Sequence, residues 1–400
     1  MTRHTVVPDV RIGIVSDYYY PQLGGITEHV QGQATELARR GHNVTVLTPR
    51  LAVTPRSVDG HDLPARTFDL VYVGRAFPFY ANGAETLVTI SPTLPFALDR
   101  VYRRHRFDVV HVHNPFGAML PFMAIMRSRA PVTVGTFHSV VPERYRPLLV
   151  SRPLLRRSFR RLDASISVSE AVVESLQPYF PTRRFTTIPN GIDTDVFAPD
   201  AEPLVELEGR RTIVFVGRFD PRNGVKHMIG AFTALRCGRD DVRLVIVGDG
   251  PLRVLVERMV PAHLRDDVVF AGRVNQLRRR YLASAEILCT PCSLASFGMV
   301  LLEGMSAGLP VVASRLPGFE LVMRDGIDGV MVDRADDELG FAAALGGLLD
   351  DPELARRMGT SGRARAVSTF AWRIVADDLE ALYGELLTGA PPPRSLPRAA

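Results

Sequence analysis

Two adjacent glycines, Gly24 and Gly25, stand directly before a helical stretch. Glycine lets backbone approach a ligand closely, and the first turn of a helix offers unpaired N–H groups to an anion. The same pair also makes an ordinary turn. His138 ends the strand-like run VGTFH; a histidine at the carboxyl end of a strand can face a ligand or serve the core. Arg218 follows Gly217 at the end of TIVFVGR. Its planar guanidinium suits a pair of phosphates, and capping a sheet edge is the plainer use. The run Ser296-Phe297-Gly298-Met299-Val300 leads into LLEGMSAG. Ser296 is placed to cap that helix, whose N-terminal amides would face a diphosphate. Glu303, about two turns further on, could accept hydrogen bonds from a ribose. Each feature alone is ambiguous; their order and spacing are not.

All four features sit at the ends of short β-branched runs that alternate with amphipathic helical stretches. The first series is RIGIVSD (11–17), NVTVLTP (43–49), VVHVHNP (109–115), VTVGTFH (132–138), ASISVS (164–169) and FTTIPN (185–190). After Gly25, the residues Ile26, Val30, Ala34, Leu37 and Ala38 recur at helical spacing, and Gly41 ends that helix. A second series is TIVFVGR (212–218), RLVIVGDG (243–250), VVFAGRV (268–274), EILCTPC (286–292), PVVASR (310–315) and GVMVDR (329–334). Uninterrupted apolar strands separated by helices indicate buried parallel sheets. The expected architecture is therefore α/β with two doubly wound domains and a ligand cleft at the carboxyl ends of their strands. The expected boundaries are 1–195 and 205–370, with a polar linker from Asp193 to Arg211. A last helix over 371–388 is expected to cross back to the first domain, and the tail 389–400 to be disordered.

Composition is that of a soluble globular protein. The chain has 400 residues, room for two cores, with 46% hydrophobic and 23% charged residues. No apolar run reaches the ~18 residues that would span a bilayer. The start, MTRHTVVPDV, reads as a short tail without the apolar centre of a signal peptide, so the cytoplasm or its membrane face is the expected address. Three cysteines are too few for a disulfide framework, and Cys289-Thr-Pro-Cys292 reads as structural, with redox chemistry as the alternative. The net charge of +5 is unevenly spread. Seven arginines lie between Arg144 and Arg161, among them Arg156, Arg157, Arg160 and Arg161, interleaved with Leu148, Leu149, Leu154, Leu155 and Phe159. Such a stretch suits an anionic membrane surface, and equally an ordinary solvated helix face. No nucleic-acid partner is expected.

Taken together, GGITEHV, VGTFHS, IPNGIDTDVF, VFVGRFDPRNG, VGDGP, FAGRV and SFGMVLLEGMSAGLPVVAS resemble glycosyltransferase family 4 over about residues 11–387. Within it the layout is most similar to the bacterial phosphatidylinositol mannosyltransferases. The resemblance implies a GT-B fold of two Rossmann-like domains, the first binding acceptor and the second donor. It implies retaining transfer of a hexose from a nucleotide-diphosphate sugar, GDP-mannose favoured, to a hydroxyl of a glycolipid or glycan, without a metal. It also implies roles. Gly24 and Gly25 would approach the diphosphate and sugar. His138 would support positive charge at the anomeric carbon, and Arg218 would stabilise the leaving diphosphate. Gly298, Met299 and Val300 would offer amides, Glu303 would hold the ribose, and Val274 would lie near the base.

Three positions depart from the family pattern. Ala295 stands where the first of two glutamates is usual, Asn223 where a lysine is usual, and Asn114 where the similar mannosyltransferases carry glutamate. Losing a carboxylate on the sugar and a cation on the diphosphate costs ~1.5–3 kcal/mol each. Arg222 and Lys226 flank Asn223 and could replace the cation; nothing adjacent replaces the carboxylate. Asp193-Thr194-Asp195 has the spacing of a metal-binding DxD, yet it follows Asn190-Gly191, where family 4 members commonly carry it, and is read as a linker feature. Competing readings are a UDP-sugar transferase with another acceptor, a nucleotide-sugar epimerase on the same fold, and a non-catalytic relative that binds a partner.

Overall fold

A computed structural model describes residues 9–51, 65–81, 84–116, 119–141 and 145–389. The N-terminal tail, Arg144 and residues 390–400, where disorder is expected, lie outside the described residues. The chain divides into two compact units: residues 1–191 with 372–400, and residues 192–371.

The first unit carries β1 (Arg11–Val15), β2 (Asn43–Leu51), β3 (Asp69–Ala81), β4 (Ala84–Thr89), β5 (Val109–His113), β6 (Val132–Phe137), β7 (Ala164–Ser167) and β8 (Thr186–Thr187). They form one sheet in the order β4-β3-β2-β1-β5-β6-β7-β8. The strands at its centre are buried along their whole length, as the unbroken valine and isoleucine runs require. At one edge the sheet departs from the all-parallel expectation, because β3 turns back into β4 as an antiparallel pair. This pair escapes a search for uninterrupted apolar runs. Its sequence holds Gly74, Arg75 and Pro78, which an edge strand tolerates, and Tyr72 and Phe77 remain exposed.

The first helix, Gly25–Arg39, packs Val30, Ala34 and Leu37 onto this sheet. The last helix, Trp372–Thr388, joins the same core through Val375, Ala376, Leu379 and Leu382. Trp372, the sole tryptophan of the chain, is seated where two glycines leave space. A Cβ on Gly32 would fall 2.0 Å from its Nε1, and one on Gly191 would fall 2.5 Å from its Cδ2.

The second unit carries β9 (Arg211–Val216), β10 (Val242–Val247), β11 (Val268–Gly272), β12 (Ile287–Thr290), β13 (Val311–Ser314) and β14 (Gly329–Val332). Their order is β11-β10-β9-β12-β13-β14, and every pairing is parallel. The order reverses at β9, which places Arg218, just beyond it, at a topological switch point. The expected linker is different in kind from what the structure shows. Residues from Asp193 to Arg211 pack onto the second unit, with Phe197, Leu204 and Leu207 buried. Ser306 Oγ donates to the Phe197 carbonyl at 2.6 Å, and Leu204 N donates to Ser284 Oγ at 2.7 Å. The three apolar side chains among polar neighbours supply enough burial to dock the segment.

Candidate active site

In the second unit, the backbone after β9 is shaped by close contacts. Gly248 has φ +148°, and a Cβ there would lie 1.9 Å from the Gly217 carbonyl oxygen. The buried carboxylate of Asp220 then organises the turn, accepting from Arg222 N at 3.1 Å and Asn223 N at 3.2 Å. Asp220 also faces two cations, Arg218 Nη2 at 3.3 Å and Arg222 Nη2 at 3.8 Å. The Arg218 side chain keeps 48% of its surface exposed, so its fork is available to an anion.

Asn223, where a lysine is usual, has a local task. Its Nδ2 donates to the Arg218 carbonyl at 2.9 Å and pins the loop that presents Arg218. Arg222 is partly exposed and Lys226 is exposed in the following helix, Val225–Arg236. The loop rests on the segment after β12: Ser293 N donates to the Arg222 carbonyl at 2.8 Å. A Cβ on Gly224, whose φ is +75°, would lie 1.8 Å from the Pro291 carbonyl oxygen. Cys289 and Cys292 are buried free thiols, that of Cys292 pushed up by burial to about 11. Neither is a reactive thiolate at neutral pH.

The helix Met299–Ser306 begins differently from the expectation. Its N-cap is Gly298, in the left-handed region at φ +114°, and no side chain caps it. Ser296 lies too early in the chain, because the Gly298 turn intervenes before the helix starts. The result leaves the first-turn amides uncapped by any side chain, which suits an anion. Glu303 is 2% exposed and forms an ion pair with Arg278, Nε to Oε2 2.9 Å. The Arg278 guanidinium in turn lies 5.4 Å from the ring centre of Phe197. Val274 is partly buried just after β11. Asp193 uses its Oδ1 as a turn acceptor for Asp195 N at 3.1 Å and Val196 N at 3.0 Å.

In the first unit, β5 and β6 are paired so that His113 lies opposite Thr136, two residues before His138. His138 is 7% exposed, and its Nε2 lies 2.8 Å from His113 Nδ1. Its backbone N donates to Asn114 Oδ1 at 3.2 Å, and Asn114 itself adopts φ +50°. Asparagine tolerates that left-handed conformation better than most residues. Burial pushes the His138 imidazole down to about 3, so it is neutral at physiological pH. His29, on the first helix, stacks edge-on to His138 at 4.8 Å and to Trp372 at 5.0 Å.

The glycine pair also resolves into two parts. Gly25 begins the helix, and Gly24 caps it in an extended conformation with no side-chain cap. A Cβ on Gly24 would meet nothing within 4 Å among the described residues. Packing among the described residues therefore does not demand glycine at position 24. Sequence reasoning singles out His138 but misses His29 and His113. The signal is present in GGITEHV and VVHVHNP, but only the register between β5, β6 and the first helix shows that the three converge.

Two α/β units, each built on a largely parallel sheet, are the architecture of a GT-B glycosyltransferase. The chain belongs to glycosyltransferase family 4: residues 23–196 match the model "Glycosyltransferase Family 4", and residues 210–351 match "Glycosyl transferases group 1". It is 34% identical to the phosphatidyl-myo-inositol mannosyltransferase of Mycolicibacterium smegmatis over 95% of both chains. It is 28% identical to the GDP-mannose-dependent alpha-(1-6)-phosphatidylinositol monomannoside mannosyltransferase of the same organism, over 94% of this chain and 98% of the relative. Among solved structures, Anabaena HepE in complex with UDP and glucose superposes with a TM-score of 0.71 at 15% identity, covering 92% of this chain and 98% of HepE. The protein is an enzyme that uses a nucleotide-sugar donor.

Proposed function

We propose that this enzyme transfers mannose from GDP-mannose to a hydroxyl of a phosphatidylinositol-type lipid, with retention of anomeric configuration. The observation that carries the reading is the 34% identity to a phosphatidyl-myo-inositol mannosyltransferase across 95% of both chains. In this reading Arg218, aided by Arg222 and Lys226, takes the diphosphate charge, together with the amides of Gly298, Met299 and Val300. Glu303 holds the ribose, oriented by Arg278, and the backbone at Val274 borders the base. The bond from the anomeric carbon to the diphosphate breaks as the acceptor oxygen bonds on the same face, and the acceptor proton passes to the departing phosphate oxygen. Gly24 and Gly25 offer a ligand close backbone approach within the first unit. A neutral His138 suits the adjacent oxocarbenium character, because an imidazolium would repel it.

The acceptor side has its own support. In the helix Arg146–Phe159, Leu148, Leu155 and Phe159 turn into the core, while Leu149, Val150 and Leu154 are exposed beside Arg156 and Arg157. Arg160 and Arg161 come next, also exposed, and Arg161 Nε donates to the Ile125 carbonyl at 3.3 Å. This mixed apolar and cationic face suits an anionic leaflet. No helix of the described residues is long and apolar enough to cross a membrane.

Calorimetric titration with GDP and then UDP tests the donor. GDP should bind at micromolar concentration and UDP much more weakly; the reverse order would make this a UDP-sugar transferase. Flotation with phosphatidylinositol vesicles, with and without the four arginines 156, 157, 160 and 161, tests the membrane contact.

A further inference from the structure

Beyond sugar transfer, we infer that His29, His113 and His138 form a binding site for a zinc-class divalent cation. One ring nitrogen from each lies within 4.8 Å of the other two, and all three residues are buried. Two nitrogens in this cluster, His29 Nδ1 and His113 Nε2, have no hydrogen-bond partner among the described residues although fully enclosed. A buried, unpartnered imidazole nitrogen needs a donor, a water or a metal. The remaining pair, His113 Nδ1 and His138 Nε2, share a hydrogen bond at 2.8 Å. Zinc held by imidazoles at about 2.0–2.1 Å needs ligand nitrogens roughly 3.3 Å apart. With the three nitrogens within 4.8 Å of one another, ligation asks the rings to draw closer, with His113 binding through only one of its two nitrogens.

The surroundings fit ligation. His111 stacks on His113 at 4.6 Å with both its own nitrogens engaged, Nδ1 with Tyr383 Oη and Nε2 with Thr136 Oγ1, each at 2.6 Å. It therefore packs against the cluster without competing for the cation. Burial lowers the basicity of all three ligand rings, and neutral imidazole is the ligating form. A set of nitrogens without carboxylates selects zinc, cobalt, nickel or copper over magnesium and calcium. Three protein ligands leave a fourth position open. A cation here occupies His138 and so blocks transfer; that consequence rests on the role proposed for His138, whereas the site itself does not.

Cobalt(II) is the probe, and the full chain carries Cys237→Ser to remove its exposed thiol. The one tryptophan, Trp372, packs on His29 and so reports locally. One equivalent of cobalt should give the visible absorption of four-coordinate Co²⁺ and quench Trp372 fluorescence, both reversed by excess zinc. His29→Asn and His113→Asn should each weaken binding at least about 10-fold, with folding checked by circular dichroism. His263→Ala, at an exposed position, should change neither binding nor activity. No absorption and no quenching, or binding indifferent to both asparagine variants, overturns the site. Saturating zinc that fills the site yet leaves transfer at full rate supports the site and overturns the inhibition, and with it the role of His138.

Discussion

The two units gather different chemical groups at the carboxyl ends of their parallel strands, uncharged in the first and cationic in the second. In the first, β5, β6 and the first helix gather four histidines and a tryptophan, all buried, and burial keeps the rings uncharged. In the second, Arg218 and Arg222 stay in contact with solvent beside the buried carboxylate of Asp220, and Lys226 is exposed on the next helix, in a unit that also offers a helix start without a side-chain cap. In the proposed reaction a developing cation is met better by neutral rings than by positively charged ones, and a departing diphosphate by fixed positive charge and free amides. One sheet architecture accommodates both: His111 and His113 lie on β5 itself, whereas Arg218, Arg222 and the Gly298 helix start lie in the turns beyond strand ends.

If that division of labour is right, the largest loss comes from His138→Ala. Transfer should fall by about 100- to 10,000-fold while circular dichroism and nucleotide affinity stay near wild type. Full activity in this variant would remove the first unit from the chemistry. A pair of glycine substitutions comes next. Gly224→Ala combines a positive φ with a 1.8 Å clash against Pro291 and should destabilise the protein by about 3 kcal/mol or more, read as a lower melting temperature. Gly24→Ala, in open space, should leave melting unchanged and lower transfer; a drop in melting temperature there would make that glycine structural.

Arg218→Ala should raise the dissociation constant for GDP about 10- to 100-fold in calorimetry, equivalent to ~1.5–3 kcal/mol. An unchanged constant would shift the phosphate role to Arg222 and Lys226. The smallest effect is on stability against pH. His111 and His138 are held near 3 in the fold against an ordinary 6.5, so the unfolded chain binds more protons between those values. Stability from these groups is complete above 6.5 and is lost as pH falls, by up to ~1.4 kcal/mol per unit for each. Asp17 opposes them: burial raises it to about 7 from 3.8, so its contribution is lost as pH rises through that window. Denaturant unfolding at pH 5 and 7 should show the histidines winning, with a shallower slope in His111→Gln; an equal slope would mean that His111 does not titrate on unfolding.

Much of this is legible in the residues. Most of the strand runs announce themselves because parallel strands covered on both faces cannot alternate with polar side chains, while FTTIPN yields only the two-residue, partly exposed β8. Arg218, His138, Gly24 and Glu303 are legible through motif order. The antiparallel edge pair is not, since Pro78 and Gly74 break the apolar run of β3. The segment 193–211 reads as a linker because three apolar residues among many polar ones signal docking only when a receiving surface is known. Ser296 reads as a helix cap because a cap depends on the φ of the residues that come after it, here Gly298.

Sequence by itself determined the fold class, the family and the identity of the chemical groups, since periodicity and motif order are properties of the chain. Tertiary structure alone decided which groups meet. His29, His113 and His138 are separated by 84 and 25 residues along the chain, yet strand register and helix docking bring their nitrogens within 4.8 Å. The same packing decided that Asn223 braces the loop of Arg218 and that Arg278 is the partner of Glu303. Such pairings depend on distances across a core, which no local pattern encodes.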